Sequence, residues 1–106
     1  MSLRNIREES LAEKRRQIET NPCFDEQSVS LKCIEINSND TDQCFREINN
    51  LKICRTFWSA VEKVRKNNSI EPTLPKREVR DQLRKYYIQN GNLKTLMDDK
   101  NSIFYQ

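Results

Sequence analysis

Apolar residues along the chain recur at helical spacing, and no stretch alternates apolar with polar residues over a useful strand length. Glycine occurs once, at Gly91. The pattern predicts an all-α protein. Asn21-Pro22 reads as a helix start, a capping side chain followed by proline at the first helical position. The helix it opens should run from about Pro22 to Ile36 and stop in NSNDTD, Asn37 to Asp42, whose short polar side chains favour turns. Asp40 or Thr41 then caps a second helix through Cys44 to about Lys66. Asn67-Asn68-Ser69 ends it, and Pro72 and Pro75 prevent its continuation.

Pro75 opens a shorter helix, PKREVRDQLRKYYIQ, with Val79, Leu83 and Tyr87 on one face. Near the N-terminus, Ser10 and Glu13 form a capping-box pattern ahead of LAEKRRQIE, which predicts a weakly apolar helix there. After Gly91 the sequence is mixed and polar, with Leu93, Leu96, Phe104 and Tyr105 scattered through it, and no structure is expected. The organisation is therefore an N-terminal extension (1–20), a helical hairpin (21–68), a linker with a C-terminal helix (69–90) and a polar tail (91–106).

Four cysteines punctuate the two central helices in equal intervals, Cys23 to Cys33 and Cys44 to Cys54, with nine residues inside each. Helical positions ten apart differ by about 80° around the axis and lie roughly 15 Å apart along it. Each pair thus occupies one broad face. Four cysteines allow three connectivities. A bridge within either helix fails because a disulfide needs Cα atoms closer than about 7 Å. Crossed bridges, Cys23 with Cys44 and Cys33 with Cys54, require parallel helices and a longer connection. Antiparallel helices joined by a ten-residue connection give the nested pairing, Cys23–Cys54 and Cys33–Cys44.

Composition shows why such staples matter. The chain has 106 residues, 33% of them charged and 35% hydrophobic, and a mean hydropathy of −0.94. A small segment this polar buries too little apolar surface to fold on that alone. On the first central helix only Leu31 and Ile34 join the cysteines, while Glu26, Gln27 and Ser30 share their face. The second is richer, with Ile48, Leu51, Trp58 and Val61 along the cysteine stripe. The reduced hairpin is expected to be largely unfolded and the oxidised one stable.

Charge and motif content narrow the function. The net charge is +3, concentrated in residues 72–106, which hold seven basic and four acidic groups. That field is too weak to point to nucleic acid. No run approaches the ~18 apolar residues of a membrane span, and the N-terminus lacks both the apolar core of a secretory signal and the acid-poor composition of a matrix presequence. There is no histidine. The cysteines lack the close ligand pairs of structural zinc and the C-x-x-C of a redox catalyst. No metal, cofactor or catalytic set is expected, and the protein reads as a non-enzyme and a monomer.

Twin C-x9-C intervals on a helical hairpin resemble the coiled-coil-helix–coiled-coil-helix (CHCH) family. NPC at Asn21–Cys23, KCIE at Lys32–Glu35 and ICRTFWSAV at Ile53–Val61 carry the likeness, which covers roughly residues 21–80. The resemblance implies residence in the mitochondrial intermembrane space, entry in the reduced state without a cleaved presequence, and oxidation by the resident disulfide-relay oxidoreductase, a transient partner. In the family that enzyme recognises a docking cysteine with aromatic or large apolar residues three and four positions away. Cys54 with Phe57 and Trp58 matches, and Leu51 flanks it on the other side.

Copper chaperones of the family carry an adjacent Cys-Cys pair ahead of the domain, and this chain has no fifth cysteine. The implied role is a scaffold or assembly factor, in respiratory-chain biogenesis such as that of cytochrome oxidase. The alternative is a structural subunit of a large mitochondrial complex, ribosomal or respiratory, bound through the basic helix and tails. Periodicity adds one surface of its own. Ile53, Phe57 and Val64 lie away from the cysteine seam, either free for an unidentified protein partner or covered by Val79, Leu83 and Tyr87.

Overall fold

The structure is a computed structural model that describes residues 3–106, with side chains from Ser10 onward. Its described residues form α-helices and short 3₁₀ turns without strands: α1 Leu3–Thr20, α2 Phe24–Ile36, α3 Phe45–Asn67, α4 Arg77–Asn90 and α5 Lys94–Asp98. The chain divides into two compact units, residues 1–55 and 56–106, so α3 contributes its first half to one and its second half to the other.

In the first unit, α1 is continuous from Leu3 to Thr20. Ser10 therefore lies within the helix and caps nothing, contrary to the capping-box reading. What supports this polar helix is local. Glu13 pairs with Arg16 and accepts from Gln17 Nε2 at 3.1 Å, and the Thr20 hydroxyl donates to the Arg16 carbonyl at 2.9 Å. Such pairs at three- and four-residue spacing suit a helix with little apolar surface.

α2 starts at Phe24, two residues later than expected. Asn21 still organises the start, but from further out. Its Oδ1 accepts from the Cys23 amide at 2.9 Å, and its Nδ2 donates to Gln27 Oε1 at 2.7 Å. The helix ends as Ser38 and Asn39 turn left-handed, at φ 55° and 67°, and the Asn39 amide returns to the Ile34 carbonyl at 2.8 Å. Asparagine is among the few residues that take this conformation readily. Asp40 then accepts from the Asp42 amide, opening a 3₁₀ turn over Thr41–Cys44 that leads into α3. Cys44 thus sits in that turn, one residue ahead of the α-helix.

In the second unit, α3 ends at Asn67 with Ser69 left-handed, and α4 follows from Arg77. Lys76 takes the N-cap position, so buried Pro75 precedes the helix and does not begin it. Gly91, at φ 78°, closes α4 by donating its amide to the Tyr87 carbonyl at 2.7 Å. The tail is not the structureless segment expected from its composition. It forms α5 and a 3₁₀ turn over Ile103–Tyr105, and Leu93 and Phe104 are buried. Polar groups fix the turn: Ser102 Oγ accepts from the Phe104 amide and donates to the Leu96 carbonyl, and the Tyr105 hydroxyl donates to the Met97 carbonyl. Trp58, Val61, Val79 and Leu83 complete the unit's apolar core.

Candidate functional site

The four cysteines are paired as the hairpin requires. Cys23 is bonded to Cys54 and Cys33 to Cys44, each with Cα atoms 5.9 Å apart. The inner bridge sits beside the turn and the outer one at the open end, so α2 and the first half of α3 run antiparallel. No free thiol remains.

The surface between these bridges is polar, as Glu26, Gln27 and Ser30 on the cysteine face imply, and more so than expected because Leu31 is absent from it. Ser30 is 3% exposed, with its hydroxyl donating to the Gln27 carbonyl at 2.9 Å, whereas Leu31 is 57% exposed and takes no part in the core. That corrects the expectation that Leu31 joins the cysteines. Ile34 is half-buried, and Leu51 and Cys44 are buried on the α3 side. Exposed Val29, Leu31, Ile36, Phe45 and Ile53 leave much of the apolar content of this unit outside.

Three side chains that spacing alone did not single out surround the bridges. Asn37, read from sequence only as a turn residue, donates its amide to the Cys33 carbonyl at 2.8 Å, and the same nitrogen lies 3.5 Å from Cys33 Sγ and 3.7 Å from Cys44 Sγ. Glu26 and Glu47 each place a carboxylate oxygen beside one bridge. The oxygen of Glu26 and the sulfurs of Cys23 and Cys54 lie within 4.8 Å of one another, as do those of Glu47, Cys33 and Cys44. Both glutamates follow the leading cysteine of their interval by three residues, a repeat that the sequence held in plain view.

The residues singled out for docking lie along α3. Cys54 is half-buried in its bridge and Leu51 is buried. Trp58 is 3% exposed, with the Phe57 ring edge-on at 4.8 Å and the Arg84 guanidinium 5.5 Å from its ring centre. In the folded, oxidised chain Trp58 is therefore a core residue. Of the trio set apart from the seam, Phe57 meets Tyr87 of α4 edge-on at 4.9 Å and is half-buried, Val64 is half-buried, and Ile53 is 59% exposed.

A buried charge that holds the second unit together escaped the sequence reading. Arg65 is fully buried, and its guanidinium donates to the carbonyls of Pro72, Thr73, Phe104 and Gln106 at 2.6–3.3 Å. Burial lowers its pKa from the usual arginine value, yet a guanidinium stays charged at any physiological pH. Four carbonyl dipoles are what accept that charge. The planar fork suits several fixed acceptors at once.

Among the described residues no helix is long and apolar enough to cross a membrane. No family model and no solved structure matches the chain. Curated relatives do. The human protein named coiled-coil-helix-coiled-coil-helix domain-containing protein 7 is 30% identical over 74 residues, which is 70% of this chain and 87% of the relative. Its mouse namesake is 32% identical over 68 residues, 64% of this chain and 80% of the relative. The Xenopus laevis namesake is likewise 32% identical over 68 residues, 64% and 81% of the two chains.

Proposed function

The chain belongs to the coiled-coil-helix-coiled-coil-helix domain family, and from that premise we propose that it is a non-enzymatic assembly or interaction protein of the mitochondrial intermembrane space, trapped there by oxidation. One observation carries the reading. The hairpin holds its two helices through nested disulfides over an interior that includes buried Ser30 and half-buried Glu26, Gln27 and Asn37. Such an interior contributes little hydrophobic free energy, so the fold of this unit depends on its sulfur chemistry. A chain whose hairpin closes only when oxidised stays where oxidation occurs. The family is generally mitochondrial.

Docking on the relay oxidoreductase precedes folding in this scheme. Leu51, Cys54, Phe57 and Trp58 share one helical neighbourhood at three- and four-residue spacing. They present Trp58 to the enzyme before it becomes core. Exposed Phe45 and Ile53 then remain for a protein partner, in keeping with service to respiratory-chain assembly. The test is import of the reduced chain into isolated mitochondria, followed by non-reducing gels. Trp58→Ala should slow oxidation and lower retention more than Phe24→Ala; equal effects would remove the docking role. Native size in mitochondrial extract separates a free factor from a permanent subunit of a large complex, since a pool near monomer size is incompatible with the latter.

A further inference from the structure

Glu26 poses a problem in the oxidised chain. Its Oε2 is buried and has no hydrogen-bond partner among the described residues. A buried acceptor left this way costs about 1–3 kcal/mol, and more when charged. That oxygen belongs to the carboxylate grouped with the sulfurs of Cys23 and Cys54, and Glu47 stands in the same relation to Cys33 and Cys44. Both glutamates also line one open cleft of about 220 Å³, with Asp25, Val29 and Asn50. Each glutamate therefore stands beside one pair of sulfurs and borders a cleft open to solvent.

We propose that the dithiol form of the hairpin binds two divalent zinc-class ions, one held by Cys23, Cys54 and Glu26 and the other by Cys33, Cys44 and Glu47. The donor chemistry fits. Two thiolates and a carboxylate are ordinary zinc ligands, at about 2.3 Å for sulfur and 2.0–2.2 Å for oxygen, and water fills the fourth tetrahedral position. Ligand sulfurs in such a tetrahedron sit about 3.8 Å apart, so the ion asks for only modestly wider sulfur spacing than the bridge does, and binding refolds the reduced helices onto the arrangement that the disulfides hold. On binding, each thiol gives its proton to solvent, and the 2+ ion meets three negative charges, leaving one. A disulfide sulfur is no such ligand. Ion binding and bridge formation at each pair therefore exclude one another, which gives Glu26 a partner in one state that it lacks in the other.

The two sites are separate. One bridge sits beside the turn and the other at the open end, about ten helical residues or roughly 15 Å along the hairpin, too far for four sulfurs to share an ion while the hairpin persists. The inference stands without the relay reading and does not depend on the compartment.

The full chain, reduced with a phosphine under argon and desalted, is titrated with Co²⁺ as the spectroscopic probe and back-titrated with Zn²⁺. Two Co²⁺ per chain are expected, with thiolate-to-cobalt charge-transfer bands, tetrahedral d–d bands and a gain in helical circular dichroism. Glu26→Gln and Glu47→Gln should each weaken one of the two sites by at least about tenfold, the smallest effect usual for losing even an outer-shell partner. Glu35→Gln, exposed and outside both groups, should change neither. One ion per four thiolates, unchanged affinity in both glutamate variants, a loss of affinity in Glu35→Gln, or binding without helix gain would each overturn the proposal. So would equal binding by the oxidised chain.

Discussion

The two units of this chain solve the same problem by different means. The first closes on two disulfides around an interior that admits Ser30, part of Glu26 and Asn37, and it leaves Val29, Leu31, Ile36, Phe45 and Ile53 exposed. The second contains no cysteine and buries Trp58, Val61, Val79, Leu83, Leu93 and Phe104, with Arg65 tying its loop and its last residues by hydrogen bonds. Covalent closure lowers the entropy of the unfolded chain and demands nothing apolar of the residues it encloses. Burial and hydrogen bonding instead demand a specific side chain at each position. One unit is thus conditional on redox state, and its surface is free to carry apolar side chains for other purposes. The other is indifferent to redox state, and its sequence is committed to its own core.

Reduction should produce the largest contrast. By the chain-entropy relation, the outer bridge, spanning a sequence separation of 31, contributes roughly 3–4 kcal/mol and the inner one, spanning 11, roughly 3. Adding a reductant should abolish amide-exchange protection over 24–36 and 45–55 while 77–90 keeps most of its own. Loss of protection over 77–90 as well would show that the units are not energetically distinct. Arg65→Met comes next, at about 3–5 kcal/mol, because it removes the donors of five hydrogen bonds and leaves the buried Phe104 carbonyl without a partner. Here the pattern should reverse: urea unfolding of the second unit shifts to lower denaturant, and the oxidised hairpin is spared. Arg65→Lys should recover only part of the loss, since an ammonium lacks the planar fork. Phe104→Ala follows at about 3 kcal/mol, read as faster exchange over 91–106. Exchange there as slow as in the wild-type chain would mean that Phe104 does not hold the tail in place.

The same contrast explains what could be read from the sequence. Cysteine spacing is a covalent constraint written in one residue type, so the hairpin, its antiparallel sense and both pairings were legible. The helix end at NSND was legible because its short polar side chains favour turns over helix interior. The second unit was harder. Its tail has scattered apolar residues without a sustained helical period, and Leu93 and Phe104 are buried by long-range packing that no local pattern encodes. Arg65 was one of seven basic residues between 21 and 71. Nothing in its neighbours reveals that its partners lie up to 41 residues away. The glutamates beside the bridges repeat at the same offset, a signal legible with the pairing but without meaning until each carboxylate is placed beside its two sulfurs.

Leu31 is the sharpest small test, because a reading of the cysteine stripe placed it in the core and the fold places it outside. The midpoint of the face defined by Cys23 and Cys33 lies about 20° from Ser30 and about 120° from Leu31 around the helix. An apolar residue only one position along from the buried one therefore faces solvent, and composition could not show which of the two was enclosed. Leu31→Gln should accordingly change the stability of the oxidised hairpin by no more than about 0.5 kcal/mol, as an exposed substitution does. Ser30→Leu in the same background should cost about 1–3 kcal/mol through overpacking between the bridges. Chemical denaturation of both variants under oxidising conditions ranks them. If Leu31→Gln proves the more damaging, the hairpin is rotated from the arrangement described, and its helices are held by apolar contact after all.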